Sequence, residues 1–230
     1  MEDLIKNIEN VVYNLFQENS RHLPYHNYDN TIRVVNYVKL LAQEENISQL
    51  DSEALIIAAY FHDVAYQADA ENHEDLAADK CSFYLQEQGK DEQFINKVRA
   101  IIISTDPNKE LKTDLDRILN DAINGHLSHK SFVNYSDLLR REKEILKNDK
   151  IDADTWNDRN IQYVEKHRFL TDYAKENWQP LKEKLLFSLY KERDKSAVKK
   201  SKKEVPEKGI ETAFRVALKN HMKLSDIADA

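Results

Sequence analysis

Ala54-Leu55-Ile56-Ile57-Ala58-Ala59-Tyr60-Phe61 is a run of apolar and aromatic side chains that ends abruptly on an imidazole and a carboxylate, His62-Asp63. Asp51 or Ser52 can cap a helix here, with Glu53 in its first turn. A helix so composed is apolar nearly all round, which is the pattern of a buried central helix rather than of a surface one. Adjacent residues on a helix point roughly 100° apart, so His62 and Asp63 can both reach one ion lying off the helix end. They would offer it one ring nitrogen and one carboxylate oxygen, a mixture that suits Mn²⁺, Fe²⁺, Mg²⁺ or Zn²⁺. At the end of a buried helix an unpaired charge is costly unless a metal or a partner offsets it. The dipeptide also fits a His that caps its own helix and an Asp that opens the next turn, and spacing alone leaves both readings open.

Outward from this stretch the chain reads as helices. Leu4, Ile5, Ile8, Val11, Val12, Leu15 and Phe16 recur at steps of three and four before Pro24 interrupts, and Ile32, Val35, Val38, Leu41 and Ala42 mark a second helix over 29–45. Downstream, helices are predicted over 72–88 with Gly89 as its C-cap, from Asp91 through Ile103 until Pro107 stops it, and over 114–127. Further ones follow over 132–146 and 156–178, with Pro180 breaking the chain before 181–190 resumes. Trp156, Tyr163, Phe169, Tyr173 and Trp178 recur near helical spacing and are most simply core. The segment 191–208 carries Lys-Lys-Ser-Lys-Lys at 199–203 and almost nothing apolar, and is read as a charged linker after a domain over 1–190. A terminal helix is predicted beyond it, from Gly209 to Asp229.

Composition agrees with an all-α fold. Three glycines and four prolines in 230 residues, with 33% charged, disfavour turn-rich β structure. A net charge of −7 provides no positive field for duplex nucleic acid. One cysteine, Cys81, excludes an internal disulfide framework. Met1-Glu2-Asp3-Leu4 lacks the opening of a secretion signal, so a cytoplasmic location is expected. No run of 18 apolar residues occurs, so no membrane span is expected within these residues.

Four segments, in order, carry a resemblance. Tyr25-His26-Asn27-Tyr28-Asp29-Asn30-Thr31, Phe61-His62-Asp63-Val64-Ala65-Tyr66, Glu71-Asn72-His73-Glu74 and Asp121-Ala122-Ile123-Asn124-Gly125-His126-Leu127 resemble the opening segment, the signature, the acidic segment and the last metal-binding segment of the HD superfamily of metal-dependent phosphohydrolases. The likeness spans roughly residues 20 to 180 and implies an HD-like helical bundle. It implies His62, Asp63 and Asp121 as ligands of a divalent metal, and His26 as a proton donor or phosphate contact. The position of the family's first ligand His falls on Asn30, whose amide oxygen is a poorer ligand, so a weaker site shifted towards Mg²⁺ or Mn²⁺ is expected. Ser104-Thr105-Asp106-Pro107 is a second departure and argues against a dinuclear site.

Other polar groups are candidates of lower specificity. His26 can equally hydrogen-bond the backbone of the turn after Pro24. His73 and Glu74 are candidate substrate or outer-shell groups, and equally the polar first turn of a helix. His126, five residues past Asp121, is a candidate for substrate, although that spacing does not favour a shared metal. Arg140, with Arg141 and Lys143, can meet phosphates, or can form a solvated face paired with Glu142 and Glu144.

Near the C-terminus, Gly209-Ile210-Glu211-Thr212-Ala213-Phe214-Arg215 and Asn220-His221-Met222-Lys223-Leu224-Ser225-Asp226-Ile227-Ala228-Asp229 resemble the helix before the membrane region of Pycsar-type effectors, antiphage proteins that respond to cyclic pyrimidine mononucleotides. The likeness implies a tether at the cytosolic face of a membrane through a continuation beyond Ala230. Two functions follow from these readings. One is a phosphohydrolase or phosphodiesterase acting on a nucleotide or cyclic nucleotide. The other is a degraded HD domain that senses a nucleotide, or drives assembly into a homo-oligomer.

Overall fold

The structure is a computed structural model and describes residues 2–18, 23–70 and 72–204. It is built of helices, with no strand among the described residues. The first helix, α1 (Glu2–Glu18), buries Ile8, Val12 and Phe16, the inner edge of its apolar stripe. Asn27 caps α2 (Tyr28–Glu44) by accepting the Asn30 amide at 3.0 Å. The central helix α3 (Gln49–Phe61) begins earlier than the sequence suggested. Its N-cap is Ser48, whose hydroxyl accepts the Asp51 amide at 3.2 Å, so Asp51 and Ser52 lie inside the first turn. Ala54, Leu55, Ile57, Ala58 and Ala59 have no exposed surface, because α3 packs against α1, α2 and three later helices, α4 (His73–Glu87), α5 (Glu92–Ile103) and α6 (Asp114–Asn124).

Gly89, just past the end of α4, takes φ +71°, the left-handed conformation that a C-terminal glycine adopts without a Cβ penalty. Asp91 caps α5 (Glu92–Ile103), and Thr113 with Asp116 forms a reciprocal capping box on α6. The helix predicted over 114–127 ends at Asn124 and tightens into a 3₁₀ turn, Gly125–Ser128. A Cβ at Gly125 would stand 2.7 Å from the Tyr37 ring, so this turn packs against α2 only with glycine there. Beyond it lie α7 (Phe132–Lys147) and α8 (Ala153–Lys166).

Two predicted elements differ. The single helix expected over 156–178 is α8 followed by an extended stretch and α9 (Asp172–Asn177), since the Leu170 and Thr171 amides donate to the Asp121 side chain instead of to a helical ladder. Pro180 then sits in the first turn of α10 (Gln179–Glu204), where a missing N–H costs nothing. The expected linker is helical as far as Glu204. Lys, Glu and Arg are good helix formers, and Lys195 pairs with Glu192 one turn back. The chain divides into two compact units, Met1–Leu186 and Phe187–Ala230. The predicted terminal helix over 209–229 lies outside the described residues, as does Glu71.

Candidate active site

The end of α3 brings both readings of His62-Asp63 together. His62 is the C-cap of α3, and its ring Nδ1–H donates to the Ala59 carbonyl at 2.8 Å. That bond fixes the tautomer and turns Nε2 towards Asp63, whose Oδ2 is 3.0 Å away. Both side chains are buried. For His62 burial opposes the charged ring, but the neighbouring Asp63 carboxylate outweighs it and raises its pKa. For Asp63 burial opposes ionisation, yet the charges of His62 and His26 and hydrogen bonds from His62 and His73 hold its carboxyl well below the usual range. His73, at the start of α4, places Nε2 3.6 Å from the other oxygen of Asp63, and Glu74 follows at 3.4 Å from His73 Nδ1.

Asn30 on α2 completes this cluster with its donor side. Its Nδ2 donates to Asp63 Oδ2 at 3.2 Å, while its Oδ1 accepts from the Arg33 guanidinium. Turning the amide over would set donor against donor. Arg33 is itself held by the Tyr25 hydroxyl at 3.2 Å and by the face of Tyr135, 4.2 Å from the ring centroid. As folded, position 30 is therefore a hydrogen-bond donor to Asp63 rather than a ligand.

His26, Asn30, His62, Asp63, His73 and Glu74 line a cavity of about 420 Å³, whose farther wall includes Ser104–Pro107, Asn120, Asn124 and Tyr163. His26 is held by Glu142 of α7. One carboxylate oxygen accepts the backbone amides of Tyr25 and His26 at 2.9 and 2.8 Å, and the other meets the ring Nδ1. The His26 ring lies on Tyr66, centroids 3.6 Å apart and 18° from parallel.

Three of the residues picked from sequence do not reach this cavity. Asp121 is on α6 but faces inwards, with no exposed surface; its carboxylate takes the Leu170 amide, the Thr171 amide at 2.7 Å and the Thr171 hydroxyl at 2.9 Å. Burial raises its pKa, and the Thr171 and Leu170 amides offset part of that. The α6 side chains on the cavity wall are instead Asn120, Ile123 and Asn124, the two amides one turn apart. His126 is buried between Tyr25 and Phe132, donates Nδ1–H to the Ile123 carbonyl, and has its pKa pushed by burial down to about 3, so it is a neutral core histidine. Arg140 pairs with Asp137 and Glu144 and caps the Ile151 carbonyl, well occupied by its own helix.

Sequence reasoning also missed residues that the fold brings in. Glu142, which the sequence offers as one partner of a solvated Arg140–Lys143 face, has no exposed surface and accepts the Tyr25 and His26 amides instead. Its signal was available: Phe132, Ser136, Leu139 and Glu142 fall at steps of four, three and three, the inner face of α7. Tyr163 was assigned to the core but is 49% exposed on the cavity wall, its hydroxyl donating to Asn124.

The HD domain model matches residues 27–187, most of the chain. The chain belongs to the HD domain family. Among solved structures, a predicted HD superfamily hydrolase from an uncultured Thermotogales bacterium is similar at 21% identity and a TM-score of 0.51, over 89% of this HD chain and 92% of that one. At that identity the likeness concerns the fold. No curated protein matches.

The residues of this HD domain fit a divalent metal in part. His62 Nε2 and Asp63 Oδ2 are adjacent, their other polar contacts leave them facing each other, and an ion can take the place of the proton they share. Asp121 and Asn30 do not fit as ligands in these orientations, and no group of three or more His, Cys, Asp or Glu among the described residues is arranged to hold an ion.

Proposed function

We propose that this chain is a metal-dependent phosphohydrolase of the HD type that acts on a nucleotide or cyclic nucleotide, with His62 and Asp63 as the protein's hold on the ion. The observation that carries the reading is the placement of the His62 ring: Nδ1–H is committed to Ala59, so Nε2 is turned to Asp63 Oδ2, 3.0 Å away, where an ion can replace the proton the two share. What such an ion supplies is Lewis acidity towards a phosphoryl oxygen and a nucleophile competent at neutral pH. The chain's own groups do the rest. His26 and His73 face the same cavity as Asp63 and provide N–H donors for phosphate oxygens. Tyr163 and Asn120, which line the same cavity, provide an aromatic surface and an amide suited to a base, with Asn124 holding the Tyr163 hydroxyl.

A second reading is favoured by one observation. From α2 and from α6 the groups offered to the cavity are amides, Asn30, Asn120 and Asn124, which leaves Asp63 as the carboxylate facing His62. A single carboxylate beside His62 suits a domain that binds a nucleotide without cleaving it, as the sensing or assembly part of a membrane-linked antiphage effector, in keeping with the C-terminal resemblance. No helix among the described residues is long and apolar enough to cross a membrane, so that tether belongs to residues beyond those described.

The experiment is metal content after purification without chelator, together with turnover of bis-p-nitrophenyl phosphate with added Mn²⁺. The hydrolase reading expects bound or bindable metal and turnover that is lost in Asp63→Ala. Protein that stays inactive with Mn²⁺, but gains thermal stability from one member of a panel of cyclic mononucleotides, supports the sensor instead.

A further inference from the structure

We infer that Arg33 is the positioning residue that denies the oxygen of Asn30 to an ion at His62-Asp63, and so sets how weakly that site holds a metal. The inference rests on the metal of the hydrolase reading, not on its turnover. Arg33 and Asn30 are neighbours one turn apart on α2. The amide of Asn30 is buried, with its NH₂ on one side and its oxygen on the other: Nδ2 donates to Asp63 Oδ2 at 3.2 Å, and Oδ1 accepts from Arg33 Nη2. A carboxylate can only accept and a guanidinium can only donate, so Asp63 and Arg33 agree on this orientation. A cation on Asp63 ends that agreement. The ion and the guanidinium then both call for the oxygen, and one amide cannot serve both.

The surroundings of Arg33 decide the contest in its favour. Its Nη2 also meets the Tyr25 hydroxyl at 3.2 Å, and its Nε is buried with no hydrogen-bond partner. The guanidinium lies 4.2 Å from the centroid of the Tyr135 ring and 5.5 Å from that of Tyr25, and the two faces hold it in place. It does not lose its proton in a protein. Turning the amide over would set the Asn30 NH₂ against a buried cation that already has one donor unmet, at the cost of desolvating it. A hard divalent ion loses less, because water can take the place of a neutral oxygen in its shell. Position 30 therefore keeps its NH₂ towards Asp63, and the ion is left with one protein ligand fewer.

The charge of Arg33 also reaches the site through space, where it opposes protonation of His62. By the same field it opposes any cation placed there. Field and amide differ in what they ask of Asn30: the field acts whatever stands at position 30, whereas the amide route needs an oxygen there that has to choose.

Arg33→Gln tests this, since the new amide can donate to Asn30 or accept from it and leaves position 30 free to turn. The affinity of the folded protein for Mn²⁺, read from the electron paramagnetic resonance signal of the free ion, should rise about 10-fold. Arg33→Met, which keeps an apolar stem beside Tyr135, should repeat that gain. Two further backgrounds separate amide from field. Asn30→Ala has no oxygen to release, and Asn30→Asp has oxygens enough for Arg33 and the ion together. In both, adding Arg33→Gln should change the affinity for Mn²⁺ by less than about threefold. Equal gains in all three backgrounds would overturn the inference and reduce Arg33 to a distant charge. Arg33→Gln and Arg33→Met proteins that bind Mn²⁺ no better than the wild type would overturn it as well. Absence of bis-p-nitrophenyl phosphate turnover in every one of these proteins counts against the hydrolase reading, whereas the affinities decide Arg33 on their own.

Discussion

At the scale of single residues, the polar groups of this chain separate by what faces them rather than by what they are. His62 and His126 are both buried, yet the neighbouring Asp63 carboxylate raises the pKa of the first and burial lowers that of the second. His126 gives the sharpest test. Its pKa is pushed from 6.5 down to about 3 by burial and by the charge of Arg33, so the folded protein holds it neutral. The unfolded chain takes up a proton first as pH falls. Stability from this group is therefore fully present above about pH 6.5 and is lost progressively towards pH 3, at about 1.4 kcal/mol per pH unit. His126→Asn keeps a donor for the Ile123 carbonyl and removes the titration. Between pH 6 and pH 4 the wild-type protein should lose about 2 kcal/mol more than this variant in urea unfolding. Parallel curves would contradict the neutral assignment. The sequence showed His126 as a histidine in a promising segment. Nothing local showed that Phe132 and Tyr25 close over it.

At the scale of elements, much was legible: the apolar periodicities located α1, α2, α5 and α7, and the apolar block before His62 marked the central helix. What failed was rotation about a helix axis. Asp121 and Asn120 are neighbours, and only the packing of α6 against α2 and α3 decides which of them meets the cavity. The structure gives Asp121 a different task, to tie α6 to the start of α9 through the Leu170 and Thr171 amides. Asp121→Asn leaves a carbonyl for some of these donors but sets an NH₂ among them. It should cost about 1–3 kcal/mol in denaturant unfolding. The affinity of the folded variant for Mn²⁺, read by calorimetry, should match the wild type. A large loss of metal affinity with unchanged stability would restore Asp121 to the metal site. The break at 167–171 was illegible for the same reason, since α8 and α9 would read as one helix but for acceptors supplied by Asp121, about 50 residues earlier.

At the scale of the whole molecule, the all-α class followed from scarce glycine and proline and abundant charge, and the position of the cavity followed from the one helix apolar on every side. The end of the first compact unit was less legible, because a run of Lys, Glu and Arg reads as linker although the same residues favour a helix. The last turns of α10 test what that helix contributes. From Lys191 to Lys195 the side chains are exposed, and their ion pairs include Lys195 with Glu192 and Arg193 with Asp194, while Arg193 also lies over the Tyr190 ring. Exposed pairs of this kind contribute up to about 1 kcal/mol each, and for a chain of this size 1 kcal/mol corresponds to roughly 2–4 °C in Tm. A chain ending at Tyr190 retains every group that lines the cavity, together with Lys182 and Leu189, which are buried. It should melt cooperatively within about 4 °C of the full chain and keep whatever metal binding and turnover the full chain has. A fall of more than about 8 °C, or a loss of cooperativity, would mean that the fold depends on residues after 190.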